Sequence, residues 1–434
     1  MQHSMDEIPI KRFHWALSTL AAMGVFLDGY DLNVIAFSVL LISSYFKLSS
    51  TSISYALLLS SGLIGMAIGG VTFGRIADRI GRKAMFVIDI LMFVIFTALS
   101  AVATNVAEIV IFRILMGIGI GADYPVSSSL IAEFAPKKER GKLLMYGIMF
   151  YWLGVLVSGA VNYFVLPLGS ALSWRVALGV GAAIAVPIIA SRWLMPESAR
   201  WLKAVGRSEQ AEGVIRKSVG IEGYTVPEQG SVSARELFSK HWKALAFVLV
   251  TWFAFDVGSY GFGFYTPTLY YELGITNLRT VVIFGTLTAP FPIIAYLALM
   301  KLIDRVGRKA LSLIGFAIMA AVLVFLVPLV KVSAYALLPL FILFASFEQW
   351  PGGILSFSYS TELFPTKVRG LAQGLATTVS RIGGIIGVLL FPIIKGYGLV
   401  YGTTFFLAFI LLAIVITVIA APETRGRSLE EISR

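Results

Sequence analysis

The chain is predicted to be an all-α membrane protein of twelve transmembrane helices in two parallel-repeat six-helix bundles. Three observations predict this. Hydrophobic residues make up 58% of the 434 and charged residues only 14%, with a mean hydropathy of +0.85, more apolar surface than a soluble domain can hide. The apolar residues gather into stretches of about 20 or more, the length that crosses a hydrocarbon layer of roughly 30 Å. Short loop sequences also recur at a constant spacing.

The stretches fall near 13–44, 53–77, 83–103, 107–134, 141–166, 174–195, 242–271, 280–301, 309–330, 334–363, 369–395 and 398–421. The first and tenth exceed one crossing and are expected to tilt or break. The run after Phe13 is too long for a signal-peptide core and lacks a small-residue cleavage site, so the first helix is expected to stay in the mature protein. Cysteine is absent, which excludes disulfides, thiolate chemistry and Cys-ligated metals. His3, His14 and His241 stand at no ligand spacing. No metal or other cofactor is expected. No nucleophile–base pair or nucleotide loop suggests an enzyme, and nothing resembles the filter or charged ring of a channel.

Net charge is +11 and the isoelectric point about 9.7. The distribution argues against a nucleic-acid partner. Lys47, Arg175, Arg279, Lys331 and Lys395 fall on one side, Arg113 and Arg381 fall inside helices, and every other Lys and Arg falls on the opposite side. By the positive-inside rule that basic side is cytoplasmic, and both termini lie there. A multi-pass chain in the plasma membrane, acting as a monomer in contact with lipid, is the expectation.

An internal repeat sets the architecture. Asp78-Arg-Ile-Gly-Arg-Lys-Ala84 returns as Asp304-Arg-Val-Gly-Arg-Lys-Ala310, 226 residues later. Glu133-Phe-Ala-Pro-Lys-Lys-Glu-Arg-Gly141 returns as Glu362-Leu-Phe-Pro-Thr-Lys-Val-Arg-Gly370, 229 residues later, and Pro196-Glu197-Ser198 returns as Pro422-Glu423-Thr424. An even number of crossings separates the copies, so the halves share one orientation. The divisions expected are an N-terminal bundle over 1–195, a polar cytoplasmic linker over 196–241 with one or two short helices around Ser198–Val219, and a C-terminal bundle with a short tail over 242–434.

The repeated loops resemble the signature of the major facilitator superfamily, whose fold the twelve spans match. Pro196-Glu197-Ser198-Ala-Arg200-Trp and its second copy resemble the sugar-porter branch. Arginines beside carboxylates at neighbouring helix ends can latch the cytoplasmic face in one state and release it in another. Asp78, Arg79, Arg82, Glu133, Glu197 and Arg200, with Asp304, Arg305, Arg308 and Glu362 in the second half, are the expected gating cluster.

Function has to come from polar groups inside the spans, where each carboxylate costs roughly 2.5–3.5 kcal/mol on insertion scales. Asp28 and Asp31 share a helix face at i,i+3, Asp123 lies in the fourth span and Asp256 in the seventh. A desolvated aspartate offers proton exchange. Arg113 can pair with Asp28 or Asp31; Arg381 offers a guanidinium fork to a carboxylate or phosphate. Asp89 is expected to be a satisfied buried group, and Glu348 can equally enter the cavity or pair locally.

Asp28-Gly-Tyr30-Asp31, Asp123-Tyr124-Pro125, the Trp252/Asp256/Tyr260 spacing and Arg381 resemble the phosphate:proton symporters; Leu27-Asp28-Gly-Tyr30-Asp31 is also similar to aromatic-acid:proton symporters. The resemblance implies proton coupling through Asp28, Asp31, Asp123 and Arg113, and a substrate cavity of Tyr124, Tyr151, Trp252, Asp256, Tyr260 and Arg381. Tyr151 and Gly353 stand where the phosphate branch has Gln and Asn. The expected function is proton-coupled symport of a small anion, inorganic phosphate or an organic carboxylate. A sugar or other neutral-solute porter, or a non-transporting membrane sensor, is the alternative.

Overall fold

Local chemistry marks the helix starts. The side chain of Ser52 accepts the Tyr55 amide to begin α2 (Ile53–Ile80), and Asn105 accepts the Glu108 amide to begin α4 (Val106–Ile120), as N-cap residues do. Gly81 and Gly307, at φ 103° and 107°, end one span and start the next, a backbone that side-chain-bearing residues resist.

The computed structural model describes residues 3–4, 9–219, 224–225, 234–272, 274–329 and 334–432. It is helical apart from a parallel bridge of β1 (His3–Ser4) with β2 (Tyr224–Thr225). The first six crossings are α1 (Arg12–Phe46), α2, α3 (Arg82–Val102), α4 continued by α5 (Asp123–Phe134), α6 (Arg140–Val165) and α7 (Ser170–Trp193). Between the sixth and seventh crossings lie α8 (Ala199–Ala204), α9 (Ser208–Val219) and α10 (Ala234–Lys240). The second six are α11 (Trp242–Glu272), α12 (Leu278–Thr288) with α13 (Pro290–Val306), α14 (Arg308–Leu329), α15 (Ala334–Phe347) with α16 (Gln349–Gly353) and α17 (Ser360–Glu362), α18 (Thr366–Lys395) and α19 (Leu399–Ala420); α20 (Leu429–Ile432) follows.

Eleven of the crossings among the described residues are long and apolar enough, taken alone, to span a bilayer. The fourth is not a single helix: α4 and α5 meet at Gly121-Ala122, a break the sequence reading did not anticipate. The tenth is broken as expected, with a π-helical stretch over Ile354–Tyr359, a geometry frequent at functional sites. The first is unbroken at 35 residues. The helices α8 and α9 match the expected linker helices, α10 does not, and Lys331 lies outside the described residues.

Packing repeats with the sequence. In the first half α1 contacts α6, α3 contacts α7 and α1 contacts α7; in the second, α11 contacts α18, α14 contacts α19 and α11 contacts α19. The halves meet along α2 with α18 and along α6 with α12 and α13. Small residues permit the first contact, as in other membrane helix pairs: a Cβ on Gly374 would stand 2.1 Å from the Gly70 carbonyl oxygen, and one on Gly74 2.5 Å from that of Gly370. Apolar side chains such as Ile95, Phe325 and Val415 face outward, where lipid takes the place of a core.

Candidate functional site

A cavity of about 150 Å³ lies between the halves, lined by Tyr124, Tyr151, Trp252, Asp256, Tyr260 and Arg381 among others. The structure thus brings all six expected substrate residues together. Arg381, on α18, donates from Nη1 to Asp256 Oδ2 at 2.8 Å. Its guanidinium carbon lies 4.9 Å from the Tyr124 ring centre, 5.0 Å from Tyr260 and 5.8 Å from Trp252, within cation–π range. Its Nε and Nη2 have no hydrogen-bond partner among the described residues. Asp256 thus holds one nitrogen of Arg381, and the Nε/Nη2 edge is buried with that capacity unused.

The remaining walls are aromatic and polar. Asn33 donates to the Tyr151 hydroxyl at 3.2 Å. Glu348 accepts from Ser259 at 2.9 Å and from Gln349 at 2.9 Å, and it lines the cavity. A Cβ on Gly353 would stand 2.8 Å from the Tyr296 ring, so an aromatic group fills the space beside that glycine. Asn33, Trp152 and Tyr296, which also line the cavity, were missed in the sequence because isolated polar and aromatic residues in apolar helices carry no directional signal.

The acidic groups of the first half divide. Asp31 pairs with Arg113 through two oxygens, at 3.0 and 3.1 Å, and Arg113 Nε donates to Ser61 at 3.2 Å; this selects Asp31 over Asp28 as its partner. Asp28 is fully buried, and the Tyr124 side chain and the Arg381 charge are the groups that act on its carboxylate.

Asp123, expected to act with Asp28, Asp31 and Arg113, pairs apart from them and is not among the residues lining the cavity. It points away from the cavity, to Arg192 at 2.7 Å, and Arg192 also reaches Asp89 at 3.4 Å. Arg192, counted from sequence among the cytoplasmic basic residues, is instead fully buried, its guanidinium 4.0 Å from the Phe86 ring. Gly24 makes room, since a Cβ there would collide with both Arg192 and Asp123. The readable signal was charge balance: Asp28, Asp31, Asp89 and Asp123 share one half with a single predicted cation, and buried acids need partners.

On the basic face the repeated loops form two copies of one ion-pair cluster. Arg82 pairs with Asp78 and Glu133, both at 3.3 Å; Arg308 pairs with Asp304 at 2.9 Å and Glu362 at 3.0 Å. Glu197 accepts the Arg82 and Lys83 amides at 3.0 and 3.3 Å, and Glu423 accepts those of Arg308 and Lys309 at 3.2 and 3.3 Å. Ser198 donates to Glu133, and Arg200 Nε donates to the Glu133 carbonyl at 3.0 Å.

Other bonds join the halves. Asp78 accepts the Leu371 amide and Asp304 the Lys142 amide, each at 2.9 Å, a symmetric exchange across the interface that also places both aspartates on one face. Arg369 reaches Glu133 at 2.9 Å, so this face is closed. Arg79 and Arg305 do not belong to the cluster: both side chains are exposed, each one position past an aspartate that turns inward, and only the Arg305 carbonyl takes part, accepting from Arg425. Arg369, absent from the expected cluster, sits in the second repeated segment.

The sequence profile described as Sugar (and other) transporter matches residues 17–434. The chain belongs to that family. Members of this family are membrane transporters rather than enzymes, and the fold is that of the major facilitator superfamily. The chain is 30% identical to the inner membrane metabolite transport protein YgcS of Escherichia coli, over 97% of this chain and 94% of that one. It is 28% identical to the niacin transporter NiaP of Acinetobacter baylyi, over 99% and 98%. Among solved structures, the proton:xylose symporter XylE bound to 6-bromo-6-deoxy-D-glucose superposes with a TM-score of 0.83 at 24% identity, covering 97% of this chain and 98% of that one.

Proposed function

We propose that the protein is an alternating-access secondary transporter that couples proton entry to uptake of a small organic carboxylate bearing a flat ring. The observation that carries this reading is the Nε/Nη2 edge of buried Arg381, which has no hydrogen-bond partner among the described residues. That edge is a fork matched to the two oxygens of a carboxylate, and the tyrosine and tryptophan rings around it offer stacking surface. A cavity of about 150 Å³ matches the size known to hold a benzene-sized molecule. Tyr151 and the Tyr296 ring beside Gly353 favour a ring over inorganic phosphate. The niacin relative transports, by its name, a heteroaromatic carboxylate.

In this reading Asp28, Asp31, Asp123 and Arg113 serve proton coupling, and the two ion-pair clusters gate the cytoplasmic side. The moving bodies are residues 1–195 and 242–434, joined by 196–241, in a monomer whose termini face the cytoplasm of the plasma membrane. A second reading is a neutral sugar or polyol, favoured by the family match and by the hexose derivative in the solved relative, since vicinal hydroxyls can also accept from the Arg381 edge.

Uptake into proteoliposomes under an inward proton gradient separates these. Labelled nicotinate, benzoate, phosphate, xylose and glucose form the panel. Accumulation of an aromatic carboxylate that a protonophore abolishes supports the first reading; accumulation of a sugar alone replaces it with the second. No flux of any solute returns the sensor alternative.

A further inference from the structure

Between the cavity and the ion-pair clusters lies a buried polar knot centred on Gln373. The residue is eight positions from Arg381 along α18, about 12 Å toward the basic face at 1.5 Å per residue, and four positions from Arg369. Its Nε2 donates to the carbonyl oxygens of Tyr124, at 3.3 Å, and Ser356, at 2.9 Å. Its Oε1 accepts from Ser128 at 2.7 Å and from Thr361 at 2.8 Å. Two carbonyls cannot donate, so the amide orientation is determined by its partners. All four sites of the amide are engaged.

The partners come from both halves. Tyr124 and Ser128 belong to α5, Ser356 to the π-helical stretch of the tenth crossing and Thr361 to α17. Thr361 also approaches Ser128 directly, at 3.0 Å. Tyr124 lines the cavity and lies against Arg381, and its carbonyl is one of the groups Gln373 holds. Separation of the halves on the basic face, as alternating access requires, breaks the bonds to Tyr124 and Ser128 while leaving those to Ser356 and Thr361 in place. A buried amide stripped of partners is unfavourable until water reaches it, so the knot holds the closed arrangement until the inner path is wet.

We propose that Gln373 is a positioning residue that ties the Tyr124 wall of the cavity to closure of the cytoplasmic face, so that the two release together. The proposal rests on the alternating-access reading and not on the identity of the solute. The absence of native cysteine makes the test direct. Spin labels on Lys138→Cys and Arg305→Cys, exposed positions on the basic face of opposite halves, report inner opening by their distance. Gln373→Met, close in shape and without the amide, is expected to raise the ratio of long to short distances about tenfold, the scale of one to two net hydrogen bonds. The double variant Ser128→Ala/Thr361→Val, which removes both donors to Oε1, covers the case in which Gln373→Met does not fold, and shifts the ratio in the same direction. Two populations in the unsubstituted protein with the same ratio in the variants overturn the role of Gln373 and leave the transport reading intact. A single fixed distance throughout overturns both.

Discussion

Arg381 and Asp256 meet at 2.8 Å between α18 and α11, both buried, so each is the other's main charge compensation inside the bundle. Breaking such a pair from one side leaves a charge without solvent, which costs far more than the pair itself contributes.

That asymmetry is testable without knowing the solute. Arg381→Ala is expected to destabilise by about 3–5 kcal/mol, while Arg381→Ala/Asp256→Ala recovers much of the loss. Thermal unfolding in detergent of the two single variants and the double variant measures it. Arg381→Lys keeps the charge but loses the fork, so stability is held while carboxylate binding weakens. If the double variant is as unstable as the sum of the singles, the two groups are not paired.

Glu133 is the point where one half grips the other, with Arg82 at 3.3 Å and Arg369 at 2.9 Å on the same oxygen. Glu133→Gln removes the charge and leaves the shape. The expected result is a shift toward inner opening, read by the Lys138/Arg305 label distance, that high salt does little to mimic because the cluster is buried. An unchanged distance distribution would remove Glu133 from the gate.

The glycines of the repeated loops combine a positive φ with a blocked Cβ position. At Gly307 a Cβ would stand 2.3 Å from a Glu423 oxygen, and at Gly81 2.3 Å from a Glu197 oxygen. Gly307→Ala is expected to lower stability by roughly 1–3 kcal/mol from backbone strain alone, since φ 107° with ψ 164° is a glycine conformation, and more from displacing the carboxylate. Because Glu423→Ala also removes the acceptor of the Arg308 and Lys309 amides, it serves as the reference. In that background Gly307→Ala loses the collision but keeps the strain, so its cost in unfolding temperature should be smaller than in the unsubstituted protein and still present. No cost of Gly307→Ala in the Glu423→Ala background would show the backbone to be unstrained.

Much of this arrangement is legible in the residues themselves. The twelve apolar stretches, the 226-residue repeat and the Gly-Arg-Lys loops specify spans, symmetry and the ion-pair clusters, because length and charge act locally. The direction of a side chain inside a bundle is a tertiary fact. Arg192, at the end of a span, is indistinguishable in sequence from an arginine reaching the interface, yet it turns inward to Asp123 and Asp89. The break at Gly121-Ala122 hides for a similar reason: Gly117-Ile-Gly-Ile-Gly121 reads as close helix contact, and Gly65 and Gly69 do press against that stretch. Gln373 carries no motif at all, and only its four partners reveal it.

Proton coupling distinguishes the acids most sharply. Driven by an inward proton gradient, uptake should rise as external pH falls below internal pH and vanish with a protonophore. Asp28, buried with no cation paired to it among the described residues and acted on by the Arg381 charge and the Tyr124 side chain, is best placed to link solute and proton, because a carboxylate solute on Arg381 alters the charge that Asp28 experiences. Asp28→Asn is therefore expected to abolish concentrative uptake while counterflow exchange, which needs no net proton movement, survives. Asp31→Asn should do the same but also destabilise, since it leaves Arg113 buried against a neutral partner. Asp123→Asn leaves Arg192 paired with Asp89, so the fold should tolerate it, and loss of pH-driven accumulation there would reflect coupling rather than unfolding. Measured side by side in reconstituted vesicles, full accumulation in both Asp28→Asn and Asp123→Asn would sink proton coupling through these residues and leave a facilitator as the better description.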